Sequence, residues 1–304
     1  MRQIFPVLGP ELELIPAVTA GPTPAAIEQL ADLYRNGLRP AAADRPWLRA
    51  NMISSADGAA TLGGRSGALG GPADRMVFGV LRSLADVILV GAGTARAEKY
   101  RPVSQAGIWA GLRDGDAAAL PAIAVVSASL NLSGCEQLLA GGPGAGPTIV
   151  ITTEAAAGRP WPGQLGTAAV SAALRPGQPE ALRPGQPEAV RPGQSEALRP
   201  GRPEVVTAGT DRVDVNRAVT ALAELGYRQI LAEGGPHLLG QLADADLIDE
   251  LCLTTSPVLA AGPGGRIVVS ADPAPRSQPA ARLSLAHVLT DVGFLLSRYI
   301  RASG

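Results

Sequence analysis

The chain has few of the side chains from which acid–base catalysts and metal sites are usually built. Its 304 residues include only two histidines, His237 and His287, and two cysteines, Cys135 and Cys252. Two cysteines cannot form a disulfide framework or a structural zinc site, and their apolar neighbours favour core positions. The zinc deaminase signature, the G-x-S-x-G nucleophile elbow and the Walker P-loop are also absent. We therefore predict no metal site, and the cysteine usage fits a reducing cytoplasm.

Aromatic residues, net charge and long apolar runs are also scarce. Aromatic residues make up 3% of the chain, which argues against a stacking platform for single-stranded nucleic acid. The formal net charge is −1, so no global field would steer the protein to DNA or to a membrane. The first twenty residues lack the apolar run of a signal peptide, and no uncharged apolar run reaches 18 residues. These absences predict a cytoplasmic protein without nucleic-acid or membrane partners.

Short apolar segments alternate with helical patterns along most of the chain. Strands are predicted at 48–54, 86–90, 122–126, 148–151, 228–232 and 247–255. Helices are predicted to begin at Pro24, Pro72 and Asp214, where apolar residues follow at helical spacing. Two last strands, 282–289 and 293–300, form a hairpin pattern, and a short edge strand is expected at 4–8. The alternation predicts an α/β fold with a mixed, mostly parallel central sheet and an antiparallel C-terminal hairpin.

Residues 173–204 are an internal repeat of four octapeptides, ALRPGQPE, ALRPGQPE, AVRPGQSE and ALRPGRPE. Seven prolines and four glycines in 32 residues cannot build a helix or a central strand, and the units are too short for a solenoid. We predict an irregular or disordered surface insertion, with a docking arm for a partner as the alternative. The remainder is expected to be a single domain over 1–304, in which 1–46 form an outer extension.

The stretch Ile230–Leu239 organises the chain. An apolar strand ends at Glu233, the backbone turns through Gly234 and Gly235, and a helix begins at Pro236. The free N–H groups and positive dipole at such a helix start suit a phosphate, and glycine lets a ligand approach the backbone closely. The pattern predicts an anion-binding turn beside a carboxylate, although an ordinary strand-to-helix turn has the same pattern.

A second turn, Gly91-Ala92-Gly93-Thr94, resembles a dinucleotide fingerprint, but Arg96 stands where that motif has its third glycine. We therefore expect Thr94 and backbone amides to contact some other ligand. Ser127 and Thr152 follow two further strands, where hydroxyl groups suit phosphate or ribose, or merely cap turns.

His287 alternates with apolar neighbours and is expected to be structural, whereas His237 at a helix start is a poor general base. This profile favours chemistry carried by a bound cofactor, such as hydride transfer.

Three motifs, in this order, resemble the dihydrofolate-reductase-like pyrimidine reductases of riboflavin biosynthesis, and more narrowly their stand-alone actinobacterial members. They are WLRANMISSADG at 47–58, RSLADVILVGAGT at 82–94 and EGGPHL at 233–238. The similarity spans about 47–301 apart from the octapeptides. It implies a three-layer α/β/α fold, NADPH as hydride donor and a homodimer. The implied substrate is 5-amino-6-(5-phosphoribosylamino)uracil, whose ribose is reduced to ribityl.

The resemblance also implies roles for individual residues. Ser66 and Arg82 would hold the substrate, the arginine through its phosphate or ribose, and Glu233 would accept hydrogen bonds from the pyrimidine. The implied cofactor-binding positions are Ser54, Ala68, Gly91, Thr94, Glu98, Ser127, Thr152, Gly234, Gly235, Pro236, His237 and Leu238. No side chain is implied as a catalytic acid or base, because the hydride comes from the cofactor. Asp57 is expected to order its own turn.

The chain departs from the family pattern at several points. His237 stands where many members have a small residue, and residues 99–102 differ from the usual acid–proline pattern, so the phosphate-binding arginine there has no assigned position. The octapeptides are foreign to the family, and the deaminase domain of many bacterial members is absent. Related folds often hold a cis peptide bond at the cofactor turn, so we predict a cis Gly234–Gly235 bond.

Three functions are compatible with the sequence. The first is an NADPH-dependent reductase of the riboflavin intermediate. The second is a reductase of the same fold that acts on another heterocycle, such as dihydrofolate or a pterin. The third is a non-catalytic cofactor-binding scaffold whose repeat recruits partners, which a deletion of residues 173–204 would distinguish from an enzyme.

Overall fold

The computed structural model describes residues 1–5, 22–35, 45–107, 109–112, 120–158, 170–171, 203–270 and 282–302. Of the octapeptide repeat, only residues 203 and 204 fall within these ranges, so the prediction for 173–202 lies outside the described residues. The last residue of the repeat, Glu204, already begins a strand and is buried.

Eleven strands and seven α-helices follow one another in these ranges. The strands are β1 Arg2–Phe5, β2 Trp47–Ser55, β3 Val87–Gly91, β4 Ala122–Val126, β5 Thr148–Thr152, β6 Val170–Ser171, β7 Glu204–Thr207, β8 Gln229–Ala232, β9 Glu250–Ser256, β10 Leu283–Asp291 and β11 Phe294–Arg301. The helices are α1 Pro24–Arg35, α2 Pro72–Leu84, α3 Ala92–Ala97, α4 Glu136–Ala140, α5 Glu154–Ala157, α6 Val215–Glu224 and α7 Pro236–Asp244. The predicted strands and helices are confirmed, with ends that differ by a few residues.

The described strands form one sheet in the order β1-β10-β11-β9-β2-β8-β3-β4-β5-β7-β6. Every pair from β9 to β6 in that order is parallel, whereas β1, β10, β11 and β9 pair antiparallel. The mixed, mostly parallel sheet with an antiparallel end is therefore confirmed, and β1 is the predicted edge strand. Residues 6–8 of that prediction lie outside the described part of the chain.

Two hydrophobic cores lie on opposite faces of the sheet, because side chains alternate along each strand. On β3, Ile88 and Val90 belong to the core shared with α1, α2 and α4, while Val87 and Leu89 belong to the core shared with α6 and α7. Cys135 and Cys252 are buried in the first core, as predicted. Helices on both faces of the sheet give the described part of the chain the three α/β/α layers that the sequence resemblance implied.

The helix ends follow from local sequence. Asp214 caps α6, since its Oδ1 accepts hydrogen bonds from the amides of Asn216 and Arg217. Gly226, just beyond this helix, has φ +89°, the left-handed conformation that glycine adopts without a steric cost. Pro236 stands in the first turn of α7, where its missing N–H costs no helical hydrogen bond.

A buried ion cluster, which was not predicted from the sequence, fixes α1 on the sheet. Glu250 of β9 accepts hydrogen bonds at Oε1 from Arg49 Nε (2.7 Å) and Arg298 Nε (2.8 Å). The same guanidinium groups donate to the carbonyls of Tyr34 and Leu33 at the end of α1. Three buried charges from three strands thus hold the helix through its backbone.

His287 lies beside this ion cluster. Its ring is edge-on to Tyr34, with centroids 5.0 Å apart and an interplanar angle of 81°. The residue is structural, as predicted, but its buried Nε2 has no hydrogen-bond partner among the described residues. Burial, reinforced by the positive charge of Arg298, lowers the pKa of His287 from 6.5 to about 4.

Candidate functional site

Two contiguous cavities lie at the carboxyl ends of the central parallel strands. The first, of about 660 Å³, lies between α2, α3 and the loops after β2 and β3. The second, of about 990 Å³, lies between the turns that follow β3, β4, β7 and β8. Gly93, Thr94, Gly235 and Pro236 line both cavities. Ligands of open α/β sheets bind at this edge, and together the two cavities suit one elongated ligand and a second, smaller one.

The two glycine turns predicted from the sequence contact each other between the cavities. The amide of Gly91 donates to the carbonyl of Gly234 at 2.8 Å, and the Gly234–Gly235 bond is cis, as predicted. Gly234 has φ +88°, which is strained for other residues. A Cβ at Gly235 would lie 2.6 Å from Thr94 Oγ1, so glycine is required where these turns approach.

The first turn of α7 opens toward the space where the cavities meet. Gly235 is its N-cap and provides no side-chain hydrogen bond, so the first amides of this nine-residue helix have no side-chain acceptor from the cap. Gly235, Pro236, His237 and Leu238 all line the second cavity. Backbone donors and a positive helix end beside a glycine turn form a surface that suits a diphosphate.

Arg82 and Glu233 form a two-point ion pair at the wall of the first cavity. Arg82 Nε donates to Oε1 at 2.8 Å and Nη2 donates to Oε2 at 2.7 Å. The Tyr100 hydroxyl donates to the same Oε2, and the Arg82 guanidinium lies 4.2 Å from the Phe78 ring centroid. Burial and the charge of Glu233 raise the pKa of Tyr100, which stays a donor at neutral pH. Two residues predicted to bind the substrate separately are therefore partners of each other.

Ser66 and Glu98 are also joined. Glu98 Oε1 accepts hydrogen bonds from the amide of Ser66 at 2.8 Å and from its hydroxyl at 2.9 Å. Both residues line the first cavity, together with Gly67 of the same loop. The pair fixes the glycine-rich loop 59–69 to the end of α3. This contact therefore helps to shape the mouth of the first cavity.

Several lining residues were missed by sequence reasoning. The first cavity is also lined by Asp74, Arg75, Lys99, Tyr100 and Arg101. Burial raises the pKa of Asp74, although Thr254 donates a hydrogen bond to its carboxyl group. Residues 99–101 belong to the segment that departs from the family pattern, and that departure was the signal that could have identified them. Asp74 gave no signal beyond its position in the first turn of a helix.

Other predicted site residues lie near the cavities without lining them. These are Ser54, Ala68, Ser127, Thr152 and Gly234, whereas Val126 and Ala128 around Ser127 do line the second cavity. Thr152 is fully buried, and its hydroxyl donates to the Ser127 carbonyl at 2.7 Å. Thr152 therefore orders the end of β4 and has no surface for a direct ligand contact.

Asp57 orders loops, as the sequence predicted. Its carboxylate accepts hydrogen bonds from the hydroxyl of Ser55 and the amides of Ala260 and Ala261. These donors, led by Ser55, lower the pKa of Asp57 to about 2. The loop after β2 and the loop after β9 are thus held together beside the first cavity.

The described residues offer neither a metal site nor a membrane-spanning helix. Among the described residues, no group of three or more His, Cys, Asp and Glu side chains could hold a metal ion. Within the same ranges, no helix is both long and apolar enough to cross a membrane.

Comparisons with solved structures support the fold. The chain is similar to a pyrimidine reductase-like protein from Corynebacterium diphtheriae, with TM-score 0.59 and 23% identity, covering 91% of this chain and 99% of that one. The riboflavin biosynthesis reductase Rib7 of Saccharomyces cerevisiae gives TM-score 0.51 and 16% identity, covering 91% and 99%. A Thermotoga maritima diaminohydroxyphosphoribosylaminopyrimidine deaminase/5-amino-6-(5-phosphoribosylamino)uracil reductase gives 0.54 and 16%, covering 85% of this chain and 57% of that one. At these identities the likeness establishes a shared fold.

A comparison with protein families supplies the assignment. No curated protein sequence matches the chain. A family model described as the RibD C-terminal domain matches residues 46–293, which is more than half of the chain and includes every residue that lines the two cavities. The chain therefore belongs to the RibD C-terminal domain family of reductases.

Proposed function

We propose that this protein is an NADPH-dependent reductase of 5-amino-6-(5-phosphoribosylamino)uracil, which converts the ribosyl group to ribityl. The observation that carries the proposal is the pair of contiguous cavities, which share as lining Gly93 and Thr94 of one turn and Gly235 and Pro236 at the start of α7. One elongated ligand that occupies both cavities would present its reactive end to a second ligand in the first cavity. Membership of a reductase family supports the same conclusion.

The residues at the meeting point fit a nicotinamide dinucleotide. A Cβ at Gly235 would meet Thr94 Oγ1 at 2.6 Å, and no side chain caps the first turn of α7, so its backbone donors can serve a diphosphate. When bound, NADPH supplies a hydride. The protein's own part is to hold both ligands, exclude water and provide hydrogen bonds, which agrees with its scarcity of acid–base side chains.

The first cavity suits a phosphorylated heterocycle. Arg75, Lys99 and Arg101 line it and can attract a phosphate. Asp74 lies on the same wall, and a half-buried carboxyl group suits the N–H and amino groups of a pyrimidine. Glu233 is held by Arg82 and Tyr100, so it orients a ligand from a fixed position.

A pterin reductase is the second candidate, and Asp74 is the observation that is compatible with it. A pterin also presents amino and N–H donors, so a carboxyl group on the cavity wall serves either heterocycle. A pterin, unlike the riboflavin intermediate, has no phosphoribosyl group that would require Arg75, Lys99 and Arg101. The cations in the cavity therefore favour the phosphorylated pyrimidine.

The proposal is tested by following NADPH absorbance with a panel of substrates. We expect oxidation with the phosphoribosylaminouracil and little with dihydrofolate or dihydropterins. Asp74→Asn should reduce turnover with either heterocycle, whereas Arg101→Gln should raise the KM for the phosphorylated substrate alone. Turnover of dihydrofolate in preference to the uracil would favour the second candidate. Binding of NADPH without turnover of any substrate, together with loss of partner capture on deletion of 173–202, would favour the scaffold.

We also propose that the protein is a cytoplasmic homodimer. The hairpin of β10 and β11 exposes Leu285, Val292 and Leu295, and among the described strands β1 stands at an edge of the sheet, which proteins usually cover. Light scattering should give twice the mass of one chain, and Leu295→Lys should reduce that mass. A monomeric mass for the unmodified protein at micromolar concentration would contradict the dimer.

A further inference from the structure

The carboxylate of Glu233 is nearly saturated with hydrogen bonds from the protein itself. Its Oε1 accepts from Arg82 Nε at 2.8 Å, and its Oε2 accepts both from Arg82 Nη2 at 2.7 Å and from the Tyr100 hydroxyl at 2.5 Å. A carboxylate has about four lone-pair sites, shared between its two oxygens. Donors from the described part of the chain therefore occupy three of these sites, and the free one is on Oε1.

The end of α3 fixes Tyr100 in this position. Lys99, just beyond the helix, has φ +54°, and its amide donates to the carbonyl of Arg96 at 3.2 Å. The amide of Tyr100 donates to the carbonyl of Ala95 at 2.9 Å, which completes a Schellman motif. The left-handed turn at Lys99 thus returns the chain toward the sheet, where the Tyr100 hydroxyl reaches Glu233 beyond the end of β8.

Arg82 is held between two aromatic rings. Its guanidinium carbon lies 4.2 Å from the ring centroid of Phe78 and 5.2 Å from that of Tyr100. Nε and Nη2 donate to Glu233, whereas Nη1 has no acceptor among the described residues. All four side chains line the first cavity. The ion pair therefore offers a ligand in this cavity one acceptor site, at Oε1, and the N–H donors of Nη1.

Uracils and 2-amino heterocycles differ in the edge that they would present to this ion pair. A uracil has a ring N–H between two carbonyl groups, so it needs one acceptor and can itself accept from a guanidinium group. A 2-aminopyrimidinone or a pterin has an amino N–H beside the ring N–H, and a free carboxylate accepts both, one at each oxygen. With Oε2 filled, the second donor has no acceptor, which is costly in a site removed from water.

We infer that Tyr100 is a specificity-determining residue: its hydroxyl group fills Oε2 of Glu233, so that this carboxylate selects a 2-oxo pyrimidine over its 2-amino analogue. The inference rests on the proposed function, because it takes the first cavity to be the substrate cavity. Tyr100 acts through Glu233 and needs no contact of its own with the ligand. Burial and the charge of Glu233 raise the pKa of Tyr100, so its hydroxyl occupies Oε2 throughout the neutral pH range.

Equilibrium binding of the two ribityl products tests the inference without turnover. 5-Amino-6-(5-phosphoribitylamino)uracil and its 2-amino analogue differ only at position 2, so isothermal titration calorimetry of the full-length protein isolates that position. The unmodified protein should bind the 2-oxo compound at least about tenfold more tightly, which is the order expected for one buried N–H without an acceptor. Tyr100→Phe keeps the ring beside Arg82 and frees a site on Oε2. This variant should reduce the preference to within about threefold, through tighter binding of the 2-amino compound.

Tyr227→Phe is the matched control. Tyr227 is a buried tyrosine that lines neither cavity, and its hydroxyl has no hydrogen-bond partner among the described residues. Its replacement should change neither affinity. With NADPH as donor, the ratio of kcat/KM for the two corresponding phosphoribosylamino substrates should follow the same pattern in all three proteins.

The outcomes separate the inference from the proposed function. Equal affinity of the unmodified protein for the two products, or equal weakening of both in Tyr100→Phe, would overturn the inference and leave the reductase intact. A preference that survives in Tyr100→Phe would also overturn it, and would assign the selection to Asp74, the other carboxyl group on the wall of the first cavity that could accept from an amino group. Turnover of neither substrate by the unmodified protein would instead overturn the proposed function.

Discussion

Arg82 of α2 and Glu233 at the end of β8 are 151 residues apart in sequence and form two parallel hydrogen bonds of 2.8 and 2.7 Å. The side chains are 18% and 2% exposed, so the pair is largely removed from water. Removing one member of such a pair leaves an uncompensated buried charge, which is more costly than removing both. The pair therefore links the stability of the domain to the shape of the first cavity.

The Arg82–Glu233 pair gives the first prediction. Arg82→Met should lower the free energy of unfolding by about 3 kcal/mol, since Glu233 then loses its cationic partner. The double variant Arg82→Met/Glu233→Gln should recover part of this loss because no buried charge is left unpaired. Urea denaturation at pH 7 measures both. A double variant that is less stable than Arg82→Met would contradict the explanation.

A second prediction concerns Gly235. Alanine there would bring Cβ within 2.6 Å of Thr94 Oγ1, although φ −68° is an ordinary value for alanine. Gly235→Ala should cost about 1–3 kcal/mol of unfolding free energy through overpacking and weaken NADPH binding. Thr94→Ala in the same chain should restore part of the stability. Gly93→Ala is the matched control, because its added Cβ meets no atom within 4 Å and it should unfold like the unmodified protein.

The buried ion cluster predicts a loss of stability in acid. Burial alone would raise the pKa of Glu250, but Arg49 and Arg298 outweigh it and lower the pKa from 4.5 to about 2. The unfolded state therefore binds the proton first, and stability present above pH 4.5 is lost as the pH falls toward 2. The difference between the folded and unfolded pKa values of Glu250 corresponds to about 3 kcal/mol of unfolding free energy. Urea unfolding at pH 4.5, 3.5 and 2.5 should show this loss.

A matched pair of variants identifies the group responsible for the acid sensitivity. Glu250→Gln should be less stable at pH 7 and should lose most of the slope between pH 4.5 and 2. Glu28, which pairs with Arg35 on the surface of α1, provides the control: Glu28→Gln should keep the slope. A slope that is unchanged in Glu250→Gln would show that another carboxylate governs acid unfolding.

His287 predicts a separate effect at milder pH. Its folded pKa of about 4 is below its usual 6.5, so the unfolded state takes up a proton first as the pH falls. The free energy of unfolding should therefore decline by about 3 kcal/mol between pH 6.5 and 4. Burial of the ring is the main cause of this pKa shift. His287→Phe should keep the contact with Tyr34, remove the unpartnered Nε2 and flatten this part of the curve. Thermal unfolding across that pH range provides the measurement.

Asp57 predicts a local effect on dynamics. Asp57→Ala removes the acceptor for the amides of Ala260 and Ala261, so both should exchange with deuterium faster. The amide of Ala56, which donates to the carbonyl of Val258, is the internal control and should change less. Because the carboxylate has a pKa of about 2, the protection of both amides relative to their intrinsic exchange at each pH should show no comparable change between pH 4 and 8 in the unmodified protein.

The sequence alone determined the elements and the two glycine turns. Buried parallel strands such as β3 and β4 are uniformly apolar. The cap residue Asp214 and the first-turn proline Pro236 mark helix starts, so these features are local and can be read from the sequence. The Gly234–Gly235 turn was predictable for the same reason, because glycine at such a position reports a local backbone requirement.

The tertiary structure decided which side chains meet. Arg82 pairs with Glu233, Ser66 with Glu98, and Glu250 with Arg49 and Arg298, and each pairing depends on strand order and register. Tyr100 and Asp74 join the cavity for the same reason. Such contacts join residues that are distant in sequence, and no local periodicity encodes which strand end lies next to which. The sequence therefore determined which turns and side chains are available to the two cavities. The packing of the sheet determined which charges meet there and what shape the cavities have.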